Sequence, residues 1–138
     1  MTLLSKLFKK QNEIIKNQND HFLVLTQATN YRGFKKIGLV SYGHKLSVDG
    51  LTALHSQDLT GKEIVIDKFI YGNKNVGYAV FVDGLQVGAI FPDTSAANKS
   101  VLDALQSKKI TAAHVRIDSI NKLDHVAYAA LLFVKVED

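Results

Sequence analysis

Residues Gly77–Phe91 have the sequence GYAVFVDGLQVGAIF, and this stretch decides the predicted fold. A β-branched and aromatic run, Ala79–Val82, is followed by Asp83-Gly84 and then by a second apolar run. Because Asp-Gly tolerates the positive φ angles of a two-residue turn, the stretch predicts a β-hairpin. Both arms are apolar on both faces, which predicts burial on two sides, as in a small barrel or a sheet covered by helices. Gly88 in the second arm predicts a bulge or the close approach of another backbone.

The rest of the chain supplies further strands with a few inserted helices. Strand patterns lie at residues 22–25, 35–42, 62–69, 110–117 and 125–136. Strands that follow one another through short turns predict an α+β fold, built as a small, mostly antiparallel and partly closed β-barrel with two helices.

The two helices of the barrel domain are predicted from caps and breakers. The first lies within residues 46–60, with Ser47 or Asp49 as its N-cap, although Gly50 disfavours a helix there. The second begins at an N-cap on Thr94 or Ser95, after the only proline has ended the hairpin.

Length, cysteine content and charge narrow the class of protein. A chain of 138 residues is long enough for one domain, and we place this β-barrel domain at residues 21–138. An N-terminal helix, residues 1–20, precedes it. The absence of cysteine excludes disulfides, thiolate zinc sites and cysteine nucleophiles. Of the net charge of +4, residues 1–45 carry +6 (eight basic minus two acidic) and residues 46–138 carry −2 (nine minus eleven). The basic third predicts either a polyanion-binding surface or a solvated, solubilising terminus.

Residues 2–18 place apolar side chains at spacings of three and four, which predicts an amphipathic helix. Its apolar stripe requires a cover, and packing on its own domain or in a homodimer is favoured over a membrane surface. The residues expected at a homodimer contact are Leu3, Leu7, Phe8 and Ile14. Since the apolar pattern is interrupted, neither a signal peptide nor a membrane span is predicted, and the protein is expected to be soluble and cytoplasmic.

Motifs for catalysis and for cofactors are missing from the sequence. The five histidines fall at no metal-ligand spacing, and the glycine patterns of phosphate loops and of serine hydrolases do not occur. We therefore expect no cofactor, no metal and no enzyme activity.

Two loops interleave aromatic and basic residues: Tyr31–Lys36, and Tyr71–Asn75 with Tyr78 close behind. Aromatic faces stack on bases while lysine and arginine neutralise phosphates, so this composition is typical of single-strand binding. The alternative is structural, with Phe34 in the core, the tyrosines at the barrel rim and the lysines as ordinary surface residues.

The central segment resembles the HIRAN domain over about residues 22–118. The resemblance is carried by Leu59 and Gly61 before a strand, by Asn73, by the Ala79–Val82 strand, and by Val87-Gly88 after the glycine turn. It implies an OB-like or SH3-like barrel with two helices, and capture of the free 3′ end of single-stranded DNA, with Tyr31, Arg32 and Asn73 at matching positions. Where DNA-binding members have Tyr-Asp after the asparagine, this chain has Asn75-Val76.

Three functional hypotheses follow. The first is a non-enzymatic nucleic-acid-binding module, which a steep fall of nucleic-acid affinity with salt concentration would support. The second is a protein-interaction or homo-oligomerisation module that buries the N-terminal helix and the strand at 125–136 against a second subunit. The third is a membrane-associated domain. The residues expected to bind nucleic acid are Tyr31, Arg32, Lys35, Lys36, Asn73, Lys74 and Tyr78.

Overall fold

The structure is a computed structural model that describes residues 21–41, 45–93, 98–121, 123–124 and 126–137. The predicted N-terminal helix and the four residues expected at a homodimer contact lie outside these ranges. The elements, in chain order, are β1 Leu23–Thr26, β2 Lys35–Gly38, α1 Lys45–Leu54, β3 Glu63–Tyr71, β4 Asn75–Val82, β5 Leu85–Ile90, α2 Lys99–Gln106, β6 Ile110–Asn121 and β7 Val126–Val136.

The strands form two antiparallel sheets, one with the order β1-β3-β4-β5 and one with the order β2-β7-β6. The α+β class with two helices and mostly antiparallel sheets is therefore confirmed. Within the described ranges the sheets do not form a closed, continuously hydrogen-bonded barrel. They meet instead at two corners through single bridges, Gln27 to Ala113 and Val40 to Ala89.

The hydrophobic core lies between the two sheets and under the helices. Ile66, Val80 and Leu132 are fully buried there, together with Leu51 from α1 and Leu105 from α2. The first helix packs mainly against β5 and β7, and the second against β2 and β7.

The hairpin predicted at residues 77–91 is confirmed as β4 and β5. Asp83 and Gly84 have φ angles of 52° and 79°, the positive values of a two-residue hairpin turn. Gly88 fulfils both of its predicted alternatives. The register of β4 and β5 shifts beside it, and a Cβ atom at Gly88 would lie 2.6 Å from Cβ of Leu39. This glycine therefore lets β2 and its extension cross β5 at a sheet corner.

Both predicted helix starts are corrected by the structure. The first helix begins at Lys45, so Ser47 and Asp49 are helical residues rather than caps. The Asp49 carboxylate forms an ion pair with Lys45, one turn earlier, at 2.9 Å. The second helix is capped by Asn98 rather than by Thr94 or Ser95. The Asn98 Oδ1 atom accepts the Ser100 N–H at 3.1 Å, while its Nδ2 donates to the Lys36 carbonyl at 3.2 Å and so links the cap to β2.

Candidate nucleic-acid interface

A tight turn after β1 builds the first part of the site. The Phe34 N–H donates to the Tyr31 carbonyl at 3.1 Å, and Gly33, the third residue of the turn, has a φ angle of 81°. That angle at that position fits a type II turn, in which glycine avoids the strain of a side chain. The Asn30 side chain accepts the Arg32 N–H at 3.1 Å and leaves the Arg32 side chain exposed at the corner.

Three aromatic rings from the turn and from the three-stranded sheet pack together. The ring of Tyr31 stacks on His114, with centroids 3.8 Å apart and planes 11° apart, and lies 4.7 Å from the ring of Phe133. The His114 Nδ1 atom contacts the Ala28 carbonyl at 2.8 Å. Because a carbonyl only accepts, Nδ1 is the nitrogen that carries the hydrogen in this contact. These contacts fix the loop against β6.

Arg116 adds a cation to these rings. Its guanidinium carbon lies 5.2 Å from the centroid of Phe133, within the range of a cation–π contact. Its Nε and Nη2 atoms donate to the two carboxylate oxygens of Asp118 at 2.9 and 3.1 Å. Hydrogen bonds with Asp118 and then with Tyr31 raise the pKa of Arg116 above its ordinary value. The guanidinium is thus held in place, but Asp118 offsets part of its charge.

The turn and the rings enclose an open cleft of about 390 Å³. Lys36 pairs with Phe133 across β2 and β7, and Phe133 pairs with His114 across β7 and β6. Paired residues of antiparallel strands share a face, so Lys36 lies on the same side of the sheet as the rings. We call this group the aromatic cleft, and its lining residues are Thr29, Asn30, Tyr31, Arg32, Gly33, Phe34 and Phe133.

Of the residues predicted to bind nucleic acid, three are brought together at this cleft. Tyr31 and Arg32 line it, and Lys36 flanks it. Lys35 is exposed but pairs with Val134, so the alternation of side chains along β2 directs it to the opposite face of the sheet.

Asn73 and Lys74 lie in the turn between β3 and β4, away from the aromatic cleft along the sheet. The loop that carries Tyr31 follows Gln27, whose N–H donates to the Lys62 carbonyl just before β3 begins, whereas Asn73 follows the last residue of β3. The nine residues of β3 span roughly 27 Å at about 3.3 Å per step. The two basic aromatic loops therefore lie at opposite ends of this strand.

Tyr78 belongs to the core. It is 2% exposed, its ring lies 5.6 Å from that of Phe22, and burial raises its pKa. A ring with no exposed face cannot stack on a base, so the prediction that Tyr78 contacts nucleic acid does not fit the structure. The structural alternative expected Tyr78 at the barrel rim, whereas it lies in the core cluster. Phe34, which that alternative placed in the core, is half-buried and lines the cleft.

Sequence reasoning missed three members of the site: His114, Arg116 and Phe133. A usable signal for the first two is their spacing, because His114 and Arg116 alternate along the strand predicted at residues 110–117 and so share a face. The observed strand continues past residue 117, so Asp118 joins them on that face. Phe133 carries no such signal, since it lies in a continuous apolar run whose outward members look like its inward ones.

Comparisons with known proteins add no relative, since no protein-family model, curated protein or solved structure matches the chain. In the part of the chain that the structure describes, no three histidine or acidic side chains are grouped closely enough to hold a metal ion. Among those same residues, no helix has the length and hydropathy needed to cross a membrane.

Proposed function

We propose that this chain is a non-enzymatic nucleic-acid-binding module, specific for single-stranded DNA or DNA ends. The observation that carries the proposal is the aromatic cleft, where the rings of Tyr31 and Phe133 meet the cations Arg32, Lys36 and Arg116. Bases in a single strand expose their faces for stacking, whereas bases in a duplex are already stacked on one another.

The proposed barrel is of the OB-like or SH3-like type implied by the HIRAN resemblance. What supports it is the pair of sheet corners, each linked by one bridge, because a small barrel closes through such corners. The cleft lies beside the Gln27 corner, since the loop that carries Tyr31 begins one residue after Gln27 and is bonded to His114. Loops at the mouth or rim of a small barrel are a common place for ligands to bind.

The cations in the cleft predict the salt dependence of binding. Arg32 and Lys36 are exposed, and Arg116 is shared with Asp118. Two to three neutralised phosphates on a single strand give a slope of about −1.4 to −2 for the logarithm of affinity against the logarithm of salt concentration. This is a weak to moderate electrostatic contribution, so stacking on the half-buried ring of Tyr31 must supply much of the affinity.

Tyr31→Ala is expected to weaken binding of a short fluorescent oligothymidine strand by roughly 10-fold to 100-fold. The reason is that stacking of one base on an aromatic ring contributes about 1–3 kcal/mol, and 1.4 kcal/mol is tenfold. Arg32→Ala is expected to reduce the salt slope by about 0.7. The measurement is fluorescence polarisation at several salt concentrations, with the 3′ end of the strand either free or blocked.

The matched control is Lys74→Asn, which also removes one positive charge but lies in the turn beyond β3. Asparagine tolerates the φ angle of 69° at this position, so the fold is preserved. We expect the control to bind like the wild type. An equal loss of affinity in Lys74→Asn and Arg32→Ala would mean diffuse charge attraction rather than the cleft, and absence of binding at low salt would refute the proposed function.

Asp118→Asn is expected to strengthen binding several-fold and to steepen the salt slope by up to about 0.7, because it releases Arg116 to pair with a phosphate. The control is Asp49→Asn, which removes a carboxylate from another exposed ion pair, with Lys45 on α1. Polarisation titrations of both variants should separate the two effects. Equal gains in both variants would indicate a response to net charge, not to Arg116.

A second candidate function is association between copies of the chain, favoured by the tip of the β6–β7 hairpin. Leu123 is fully exposed there, and Ile120 and Val126 are 42% and 50% exposed. Light scattering over a concentration series should show a rising mass that Leu123→Ser abolishes. Leu46→Ser, on a similarly apolar exposed site of α1 at 43%, is the control, and a constant monomer mass would exclude this function.

A further inference from the structure

The face of the four-stranded sheet that points away from the core is apolar, and we call it the outer face. The register aligns Val24, Val65 and Phe81 in one row across the strands. The next row, which we call the middle row, contains Asp67, Ala79 and Ala89, and it is followed by the row of Phe69 and Gly77. A sheet face open to water normally carries polar residues in these positions, so this composition calls for a cover.

The middle row forms a trough. Its floor is Ala79 and Ala89, whose side chains are single methyl groups. On one side stands Phe81, and on the other stand Phe69 and Phe91, whose rings meet edge to face at 5.6 Å. Phe69 leans over Gly77, where a Cβ atom would lie 2.5 Å from the ring. Aromatic walls around a floor of small residues match the ridge of an apolar helix.

Neither described helix lies on this face as its main contact. The first packs mainly against β5 and β7 and the second against β2 and β7, and both insert their apolar residues into the core between the sheets. Val65, Ala79 and Ala89 are nevertheless only 7%, 7% and 5% exposed, although they are not members of that core cluster. The outer face therefore has its own apolar layer.

The chain enters the described fold at one end of the trough. The His21 Nδ1 atom lies 3.1 Å from both carboxylate oxygens of Asp67, and the Phe22 N–H donates to the same carboxylate at 3.2 Å. Asp67 is 8% exposed and is the first residue of the middle row. These contacts hold residue 21 on the outer face, at the edge of the apolar layer.

We propose that residues 3–15 form an amphipathic helix that lies on the outer face, with its apolar stripe over the trough. Thirteen helical residues span about 20 Å, and the four strands span about 14 Å between the outermost strand axes. Residues 16–20 are polar and form the connection back to His21. The docked helix turns Lys6 and Lys9 toward solvent.

The alternative occupant of equal chemistry is the same segment from a second copy. The connection to His21 favours the intramolecular arrangement, because a tether this short gives an effective concentration in the millimolar range. At micromolar protein the chain's own helix therefore occupies its face before another copy does.

Paramagnetic relaxation of the full-length chain tests this proposal. Because the sequence has no cysteine, Lys9→Cys provides a single site for a spin label on the polar side of the predicted helix. We expect amide signals of β3 and β4 to lose most of their intensity within one molecule. Leu7→Glu in the labelled chain should restore the signals, and Lys6→Glu, on the polar side of the helix, should not. Val24→Asp changes the sheet side of the same contact, at a 48% exposed position, and should also restore the signals. Unchanged chemical shifts elsewhere in the spectrum would show that this variant is folded.

A mixture of two chains, one that carries the spin label and one that carries only the isotope label, distinguishes docking within one chain from docking on a second copy. We expect no broadening in the mixture. Broadening of the signals of the chain without a spin label in the mixture would assign the face to a second copy and overturn the intramolecular arrangement. Absence of broadening in both samples would refute docking, and a shift of the residue 3–15 signals on adding anionic phospholipid vesicles would then assign the stripe to a lipid surface.

Discussion

Replacing Gly50 with alanine is expected to cost about 3 kcal/mol or more of unfolding free energy, which is a large part of the stability of a domain of this size. Gly50 lies in the middle of α1, where a Cβ atom would stand 1.9 Å from the Gln86 carbonyl oxygen of β5. Neither group can rotate out of the way, because one is backbone and the other is the first atom of the side chain. The helix must therefore move away from β5, which opens the core around Leu51 and Leu54.

The measurement is urea unfolding of the wild type and the variant, followed by circular dichroism. Gly38→Ala is the matched control, since a Cβ atom there would meet nothing within 4 Å and we expect almost no change. Helix propensity acts in the opposite direction at Gly50, because alanine in a helix is favoured over glycine by about 1 kcal/mol. A variant as stable as the wild type would mean that α1 does not contact β5 at this distance.

The same glycine shows where sequence reasoning about the fold reached its limit. The hairpin was predictable because Asp83-Gly84 encodes its own turn within two residues. Gly50 weakened the prediction of a helix, since local propensity counts against glycine there. In the structure the helix forms because the missing side chain allows it to touch β5, which is a tertiary contact. Residue propensities predict local structure such as a turn, but they count a glycine that is required for close packing only as unfavourable for the helix.

The candidate site was predictable in part for a related reason. Tyr31 and Arg32 are adjacent in sequence and share a turn, so composition alone identified them. The partners that complete the site, His114 and Phe133, come from strands more than 80 residues later and are brought in by the register of β6 and β7. Conversely, the turn at Asn73 has a similar composition, but the length of β3 separates it from the cleft. Composition indicates which residues can bind, whereas the sheet register determines which of them meet.

The sheet corner beside the aromatic cleft depends on the side chain of Gln27, whose amide takes the hydrogen-bonding place of a peptide group in a neighbouring strand. The Gln27 amide donates to the Val115 carbonyl at 2.7 Å and accepts the Val115 N–H at 3.1 Å, as a neighbouring peptide group would. Gln27 is 4% exposed, so no water can readily replace it. The side chain thus continues the hydrogen bonding of β6 at the point where β1 meets it through a single bridge.

Gln27→Met is therefore expected to destabilise the fold by about 2–5 kcal/mol. The side-chain volume is nearly kept, but two buried peptide groups of Val115 lose their partners, at about 1–3 kcal/mol each. Thermal and urea unfolding measure the loss. The control is Gln57→Met, because the Gln57 amide makes an exposed hydrogen bond to Ala53 on α1 and its removal should change stability by less than about 0.5 kcal/mol.

Gln27→Glu distinguishes the hydrogen bonds from packing. The new carboxylate can accept the Val115 N–H, but its second oxygen faces the Val115 carbonyl and repels it, so we expect a loss at neutral pH. Burial raises the pKa of such a carboxyl group in the folded state above the unfolded value of about 4.3. The stability of this variant is then greatest below that value, where the protonated group donates to the carbonyl as the amide did, and it falls as the pH rises through the folded-state pKa. A deficit relative to the wild type that stays constant from neutral to acidic pH would show that packing, not hydrogen bonding, holds this corner together.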